Sequence, residues 1–244
     1  MGRVEWIREF REEAQRRRVR PEPEWGRGAR LDPAVVRSVQ RFQVGESGDG
    51  ANLIAKADPR YRPAVELFVA EEQNHARLLE ELLKAAGSTT IAKHWSDSVF
   101  VWLRRAFGLR LELMVLLIAE VVALSYYRTL RDGTSDPLTR EVAARILADE
   151  ERHVPFHCDQ LRGAFPGAKG KLVAGGWRIL VLGALSVVLV DHGRALRTLG
   201  VTRLAFAAGV LGRFERVVVD VHVGRTRPVC TRPFTRRARP RDLL

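Results

Sequence analysis

Apolar side chains recur every three or four positions along most of the chain, the spacing that places them on one face of an α-helix. The first stripe covers residues 4–18, where Val4, Ile7 and Phe10 stand among charged side chains. Four longer stripes follow and predict helices that share an apolar core. The predicted fold class is all-α: an antiparallel four-helix bundle with additional N- and C-terminal helices.

Capping and turn residues delimit the first two bundle helices. Asp32-Pro33 begins the first, because Asp caps a helix and Pro suits its first turn. Three glycines interrupt the stripe before Leu53, so we expect either an irregular helix or a group packed closely on its backbone. Prolines near residues 58–63 predict a tight connection. The second helix is then expected over Pro63–Ala86 and ends at Gly87.

The third and fourth bundle helices are predicted to be joined by a short turn. Asp97 is expected to cap a third helix reaching about Arg131, which is apolar on nearly every side and therefore central. Ser135-Asp136-Pro137 predicts the start of the fourth. Pro155 lies inside that helix and removes one backbone hydrogen bond, so we expect a disturbance close to His153.

The C-terminal third has a weaker pattern. A glycine-rich loop is predicted over residues 163–176, with helical segments at about 176–200 and onward to about 220. The arginine- and proline-rich tail is predicted to be disordered. Four regions result: an N-terminal amphipathic helix and linker (1–30), the bundle (31–166), a C-terminal helical extension packed on the bundle (167–222) and a basic disordered tail (223–244).

One apolar stretch raises the question of a membrane span. Residues 172–190 are mostly apolar, but the uninterrupted run from Ile179 to Val190 has 12 residues, and a span needs about 20. A buried helix or a surface hairpin packed on the bundle is therefore favoured. Peripheral membrane contact, assisted by the basic tail, is the alternative.

Charge is distributed unevenly over the 244 residues, which carry a net charge of +12. Residues 1–41, 42–192 and 193–244 have net charges of +4, −1 and +9. Basic ends suit a solvated extension, nucleic acid or an acidic membrane surface. Only two cysteines occur and the first ten residues lack an apolar run, which suggests a cytoplasmic protein without a signal peptide or a Cys-rich zinc site.

Two of the predicted helices carry a glutamate and a histidine on the apolar stripe itself. Glu72 with His75, and Glu150 with His153, both have the pattern Glu-x-x-His. Residues three apart lie on one helix face, so each pair aims a carboxylate and an imidazole at one point. One such pair is common by chance, whereas two pairs on apolar faces point to a shared buried site.

Two further glutamates fall at matching heights. Glu46 lies about 11 residues before the first connection and Glu72 about 10 after it, while Glu120 and Glu150 flank the second turn at about 11 and 14 residues. Glu112 is a further 8 residues away, roughly 12 Å along the axis, and is expected to pair elsewhere in the core.

These positions predict a pair of metal ions in the bundle core, because four carboxylates offset two divalent cations and imidazoles complete the coordination. The predicted ligands are Glu46, Glu72, His75, Glu120, Glu150 and His153. Glu71 and Asp149 are candidates to orient the histidines. Tyr127 and His157 either contribute to the site or belong to the packed core.

With this ligand set the chain resembles the ferritin-like superfamily, and among its members the bacterial ferritin-like domain-containing proteins. The resemblance covers most of residues 1–200. It is carried by the segments Phe42-Gln43-Val44-Gly45-Glu46, Glu71-Glu72-Gln73-Asn74-His75, Ala119-Glu120 with Tyr126-Tyr127, and Asp149-Glu150-Glu151-Arg152-His153. It implies a ferritin-like four-helix bundle with two iron ions, or Mn/Fe or two Mn ions.

The resemblance leaves the activity open, since one fold supports several chemistries. The favoured expectation is an O₂-activating oxidase or oxygenase for a small organic substrate. Without a Cys-x-x-Cys iron site, its electrons would come from the substrate or an external reductase. The alternatives are an iron-binding ferroxidase of bacterioferritin type, a nucleic-acid-linked hydroxylase and a metal-free interaction module. A homodimer is an open expectation; the lack of stacking aromatics among the C-terminal basic residues disfavours nucleic acid.

Overall fold

The structure is a computed structural model that describes residues 3–95, 101 and 108–223. Within these ranges the chain forms helices and no strand, which confirms the predicted all-α class. The helices are α1 (Arg3–Val19), α2 (Pro33–Glu46), α3 (Ala51–Lys56), α4 (Arg62–Ala85), α5 (Gly108–Gly133), α6 (Pro137–Leu161), α7 (Gly167–Asp191), α8 (Gly193–Thr198) and α9 (Arg203–Val223), with a short 3₁₀ turn at Trp25–Arg27.

Four helices form the bundle-like centre. α5 packs along α6, α2 packs along α4, and α4 joins the two pairs by packing on α6. α1 covers α4 from outside, and α9 lies against α5, α6 and α7. Most of the side chains buried between them are aliphatic or aromatic, so burial of apolar surface is the main force holding the helices together.

The predicted helix starts are confirmed by their caps. The Asp32 carboxylate accepts a hydrogen bond from the backbone N–H of Ala34 at 2.7 Å, and Asp136 accepts one from Thr139 at 2.7 Å. Each carboxylate thus accepts a hydrogen bond from a first-turn N–H group that has no partner within the helix. α6 continues through Pro155 to Leu161, so the proline does not end this helix.

The glycine-rich end of α2 shows both expected features, an interrupted helix and a side chain packed closely on its backbone. The helix stops at Glu46, and Leu53 belongs to the separate helix α3. Gly50 has φ +62°, and a Cβ built there would lie 2.4 Å from the Val69 side chain. A glycine is needed at this turn for both its backbone angle and the close approach of α4.

The predicted loop at 163–176 is wrong for most of its length, because α7 begins at Gly167. Its glycines lower helix propensity, but packing of Trp177, Val181 and Leu185 into the core overrides that preference. The expected start of the third bundle helix near Asp97 and the basic tail lie outside the described residues.

α7 differs from the other long helices in its exposure. Among the described residues it is the one helix long and apolar enough to cross a bilayer, judged by length and composition. Only 22% of its most apolar 18-residue window is buried. It packs on α5 and α9 along one side, as expected for a hairpin on the bundle surface.

Candidate metal centre

Each of the four central helices contributes a carboxylate to one buried point. Glu46 is the last residue of α2, Glu72 lies in α4, Glu120 in α5 and Glu150 in α6. The side chains of Glu46, Glu120 and Glu150 are at most 8% exposed, and that of Glu72 is 20% exposed. The structure therefore brings together the four glutamates that counting along the helices had aligned.

The cluster divides into two groups whose ligand-type atoms all lie within 4.8 Å of one another. We call Glu46, Glu72, His75 and Glu150 the Glu46 half, and Glu72, Glu120, Glu150 and His153 the Glu120 half. Glu72 and Glu150 belong to both halves. Two carboxylates shared between two groups have the arrangement needed to bridge two neighbouring cations.

In the Glu46 half, the ring nitrogen Nδ1 of His75 faces three carboxylates. It lies 3.4 Å from Glu72 Oε1, 3.4 Å from Glu150 Oε1 and 3.8 Å from Glu46 Oε2. Atoms that each bind one ion at about 2.1 Å lie roughly 3.0 to 3.5 Å apart, so most of these spacings suit a shared ion.

The Glu120 half repeats this geometry. Nδ1 of His153 lies 3.1 Å from Glu72 Oε1, 3.4 Å from Glu120 Oε2 and 3.8 Å from Glu150 Oε2. His153 is fully buried and points into the cluster, so Pro155 two residues later does not turn it away.

The inward-facing atoms lack hydrogen-bond partners. They include Nδ1 of both histidines, Glu72 Oε1 and Glu150 Oε2. Leaving several buried polar atoms unpaired costs about 1 to 3 kcal/mol each, and folded proteins rarely accept that. A cation between them would satisfy all of these atoms, so the donor set fits a metal ion in each half.

The opposite ring nitrogens are held by the two carboxylates that precede the Glu-x-x-His glutamates. Nε2 of His75 donates to Asp149 Oδ2 at 3.2 Å, and Nε2 of His153 donates to Glu71 Oε2 at 3.0 Å. Each histidine of α4 or α6 is thus oriented from the other helix. A proton kept on Nε2 leaves the lone pair of Nδ1 free to face a metal.

Two arginines hold these outer carboxylates, and the sequence analysis did not find them. Arg17 of α1 lies 2.6 Å from Glu71 Oε1 and 3.6 Å from Asp149 Oδ2. Arg152 lies 3.2 Å from Glu71 Oε2 and also pairs with Asp149. Nothing in the arginine-rich α1 sequence distinguishes Arg17 from its neighbours, so only the packing of α1 on α4 reveals its partner.

The two halves differ in what touches their outer glutamate. The buried hydroxyl of Tyr127 donates to Glu46 Oε1 at 2.6 Å. His157 Nε2 lies 3.6 Å from Glu120 Oε1 and has no hydrogen-bond partner. Both residues contact the cluster. Glu112 does not, since its carboxylate accepts hydrogen bonds from Asn52 at 2.8 Å and Lys56 at 3.1 Å, as expected from its position along the axis.

Electrostatics also separates the two outer glutamates. Burial, followed by the charge of Glu72, raises the pKa of Glu46 to about 7 despite the hydrogen bonds that it receives. Burial and the charge of Glu72 act on Glu120 in the same direction, but the nearby imidazoles of His153 and His157 outweigh them and lower the pKa of Glu120 to about 2. Without metal, the first is neutral over much of the acidic range while the second stays ionised.

The histidines carry the compensating charge in the metal-free protein. Burial alone would lower the pKa of His75, but its hydrogen bond to Asp149 and the nearby carboxylates of Glu150, Glu46 and Glu72 raise it well above 6.5. The pKa of His153 is raised in the same way, chiefly through Glu120 and Glu71. The surrounding carboxylates thus favour positive charge at both imidazoles, and a metal ion bound at Nδ1 would replace a proton there.

Aromatic rings enclose the Glu120 half. Phe68 meets the rings of His153 and His157 edge-on at 4.7 Å, and Phe10 of α1 stacks on His153 at 6.3 Å. A dry apolar surround strengthens electrostatic interactions within the cluster.

Comparison with known proteins does not assign this chain to a family. No protein-family model, no curated protein and no solved structure matches the chain. The function of the chain is therefore inferred from the geometry of this buried carboxylate–histidine cluster.

Proposed function

We propose that this chain is a ferritin-like di-iron carboxylate protein, which reduces O₂ at a pair of iron ions to oxidise a small organic substrate. The observation that carries the proposal is the pair of unpartnered, inward-facing histidine nitrogens on either side of two shared glutamates. The six ligands would be Glu46, Glu72, His75, Glu120, Glu150 and His153.

The donor chemistry supports iron or manganese. Four carboxylates balance the charge of two divalent cations, and neutral imidazoles supply the remaining nitrogen donors. Such oxygen- and nitrogen-rich sets suit Fe(II) and Mn(II), whereas no thiolate is present to favour softer metals. Fe(II) ions held by these residues would supply the electrons and open coordination positions that O₂ reduction requires.

The chain's own residues would position and protect this chemistry. Glu71 and Asp149 orient the histidines, while Phe10 and Phe68 keep water from one side of the cluster. The hydroxyl oxygen of Tyr127 lies 2.6 Å from Glu46 Oε1, and its proton can stabilise charge on that carboxylate.

One observation favours a second candidate, an iron-binding ferroxidase. The shared carboxylate of Glu72 is 20% exposed, although the other ligands are almost fully enclosed. A partly exposed bridging ligand offers a path by which iron could reach and leave the centre, as a ferroxidase requires.

Metal content tests the proposal most directly. The full chain would be loaded with Fe(II) without oxygen, desalted and analysed by mass spectrometry of the metal. Two ions per chain are expected, and a retained stoichiometry well below one would contradict the proposal. If oxygen is consumed while each iron ion is oxidised once and stays bound to the chain, the result favours the oxygenase. Continued oxidation of added Fe(II), with loss of ferric iron from the centre, favours the ferroxidase.

A further inference from the structure

One side of α7 carries four of the large apolar side chains that the described residues expose. Leu172 is 79% exposed, Ile179 72%, Leu182 50% and Val190 75%. The buried side of the same helix holds Trp177, Val181 and Leu185 against the core. α7 therefore has two apolar sides, one of them without a partner among the residues that the structure describes.

The exposed side chains form a continuous band. At about 100° per residue, the band lies within about 60° of Ile179 around the helix axis. It contains no charged residue. Its members are Leu172, Gly176, Ile179, Leu182, Gly183, Ser186 and Val190.

Positive charges line both edges of the band. Lys169, Lys171 and Arg178 project at roughly 80 to 100° from its centre, and all three are exposed. Arg178 shares its charge with Glu215 of α9, at 2.7 Å. Residues 160–190 contain no acidic side chain. An apolar face bordered by cations is the pattern of a helix that lies in the headgroup region of a membrane.

A second cationic feature lies at the far end of the band. Beside Val190 opens a cavity of about 380 Å³. Four arginines from three parts of the chain line it: Arg37, Arg41, Arg194 and Arg203. Among the described residues that line it, Asp191 is the one carboxylate. Guanidinium groups bind phosphate oxygens well, so this cavity suits the phosphate of a lipid headgroup next to the apolar band.

The contacts of α7 favour lying on a membrane over crossing it. Trp177 donates a hydrogen bond to the backbone oxygen of Met114 in α5 at 3.0 Å, which ties α7 to the central bundle. A crossing orientation would carry α5 and its buried Glu120 into hydrocarbon. Lying flat buries only the exposed band and leaves Arg178 at the level of the headgroups.

We propose that the band and the arginine cavity together dock this protein on the surface of an anionic phospholipid bilayer. The band inserts its four large aliphatic side chains among the acyl chains. The flanking lysines and the arginine cavity bind headgroup phosphates. This inference does not depend on the metal centre.

Charge disfavours a second copy of the chain as the occupant. Residues 160–215 carry eight basic side chains and two acidic ones, so two such faces would bring like charges together. An anionic membrane complements the same charges.

Vesicle flotation of the full chain tests the proposal. The wild-type protein is expected to float with vesicles of phosphatidylcholine and phosphatidylglycerol, and far less with phosphatidylcholine alone. The double substitution Leu172→Glu with Ile179→Glu should reduce flotation roughly tenfold or more, because two aliphatic anchors are lost. Val4→Glu with Val19→Glu is the matched control, since these valines of α1 are 80% and 83% exposed. It should float like wild type.

A second double substitution distinguishes the contribution of the arginine cavity to binding from that of the apolar band. Arg37→Ala with Arg194→Ala should weaken flotation on anionic vesicles and leave the helical circular dichroism spectrum unchanged. Three outcomes overturn the proposal: no flotation of wild type, flotation unaffected by the two glutamates, or a solution dimer that they convert to monomers without any vesicle binding. Binding of inorganic phosphate without vesicle binding also overturns it, because the cavity would then serve a soluble anion.

Discussion

The Glu46 half and the Glu120 half of the cluster have the same kinds of ligand but different neighbours. Both contain one outer glutamate, one histidine and the shared Glu72 and Glu150. Glu46 receives a hydrogen bond from a phenol, and Glu120 lies beside an imidazole. The neutral phenol leaves the pKa of Glu46 raised to about 7, whereas the imidazoles near Glu120 lower its pKa to about 2.

This difference shows how a nearly symmetric pair of sites becomes two distinct sites. The sites share their bridging ligands and are oriented crosswise by Glu71 and Asp149, so either site depends on both helices α4 and α6. The outer glutamates differ in proton affinity because burial dominates at Glu46, whereas nearby imidazoles outweigh burial at Glu120. We expect the Glu46 half to bind metal more weakly at low pH, because a proton competes for its outer carboxylate.

The largest effect is expected from removing a shared ligand. Glu150→Gln should abolish binding of both ions, because it withdraws a charged oxygen from each half. Metal analysis after Fe(II) loading should then show fewer than one ion per chain, against two for wild type. The matched control is Glu112→Gln, another buried glutamate that contacts Asn52 and Lys56 instead of the cluster. Retention of two ions by Glu150→Gln would contradict the bridging role.

Substitutions confined to one half should remove one ion. His75→Gln is expected to empty the Glu46 half and His153→Gln the Glu120 half, each leaving about one ion per chain. Calorimetric titration with Mn(II) would measure the stoichiometry. Loss of both ions from both variants would show that the halves do not bind independently.

The stability of the metal-free protein should depend on pH through Glu46. Its pKa is about 7 in the folded chain and 4.5 ordinarily, so it contributes stability that is complete below pH 4.5 and lost as pH rises through 7. The contribution is on the order of 3 kcal/mol. The raised pKa values of His75 and His153 act in the same direction. Glu120, with its lowered pKa, contributes stability that is lost only as pH falls below about 4.5.

Thermal unfolding with chelator present would measure this dependence. The melting temperature should fall by roughly 5 to 10 °C between pH 5 and pH 8. Added metal should restore it at pH 8. Glu46→Gln should flatten the curve, and Glu112→Gln should not. A melting temperature that rises over the same interval would refute the assignment.

The smallest effect on metal binding is expected from a substitution of Tyr127, which contacts only the Glu46 half. Tyr127→Phe removes the hydrogen bond to Glu46 and should weaken metal binding in that half by about tenfold, with the other half unchanged. Tyr126→Phe is the control, because the neighbouring tyrosine contacts Ser38 outside the cluster. Equal effects of the two substitutions in a titration at pH 7 would remove the proposed role of Tyr127.

Much of the fold could be predicted because its signals are local. Asp32 and Asp136 cap the helices that they were expected to cap, and the apolar stripes lie in the core. The prediction was wrong at the start of α7, where the glycines between residues 163 and 176 suggested a loop. There the apolar contacts of Trp177 with distant segments outweigh a weak local propensity, and a sequence pattern does not show such contacts.

The sequence alone determined which side chains meet at the centre. Helical spacing places glutamate and histidine on one face, and equal distances from a turn place facing helices at one height. Tertiary structure alone decided what surrounds them: Arg17 from α1, the crosswise hydrogen bonds to the histidines, and the different neighbours of Glu46 and Glu120. The reason is that periodicity along a helix specifies which face is buried, whereas pKa values and hydrogen bonds depend on contacts between residues far apart in the chain.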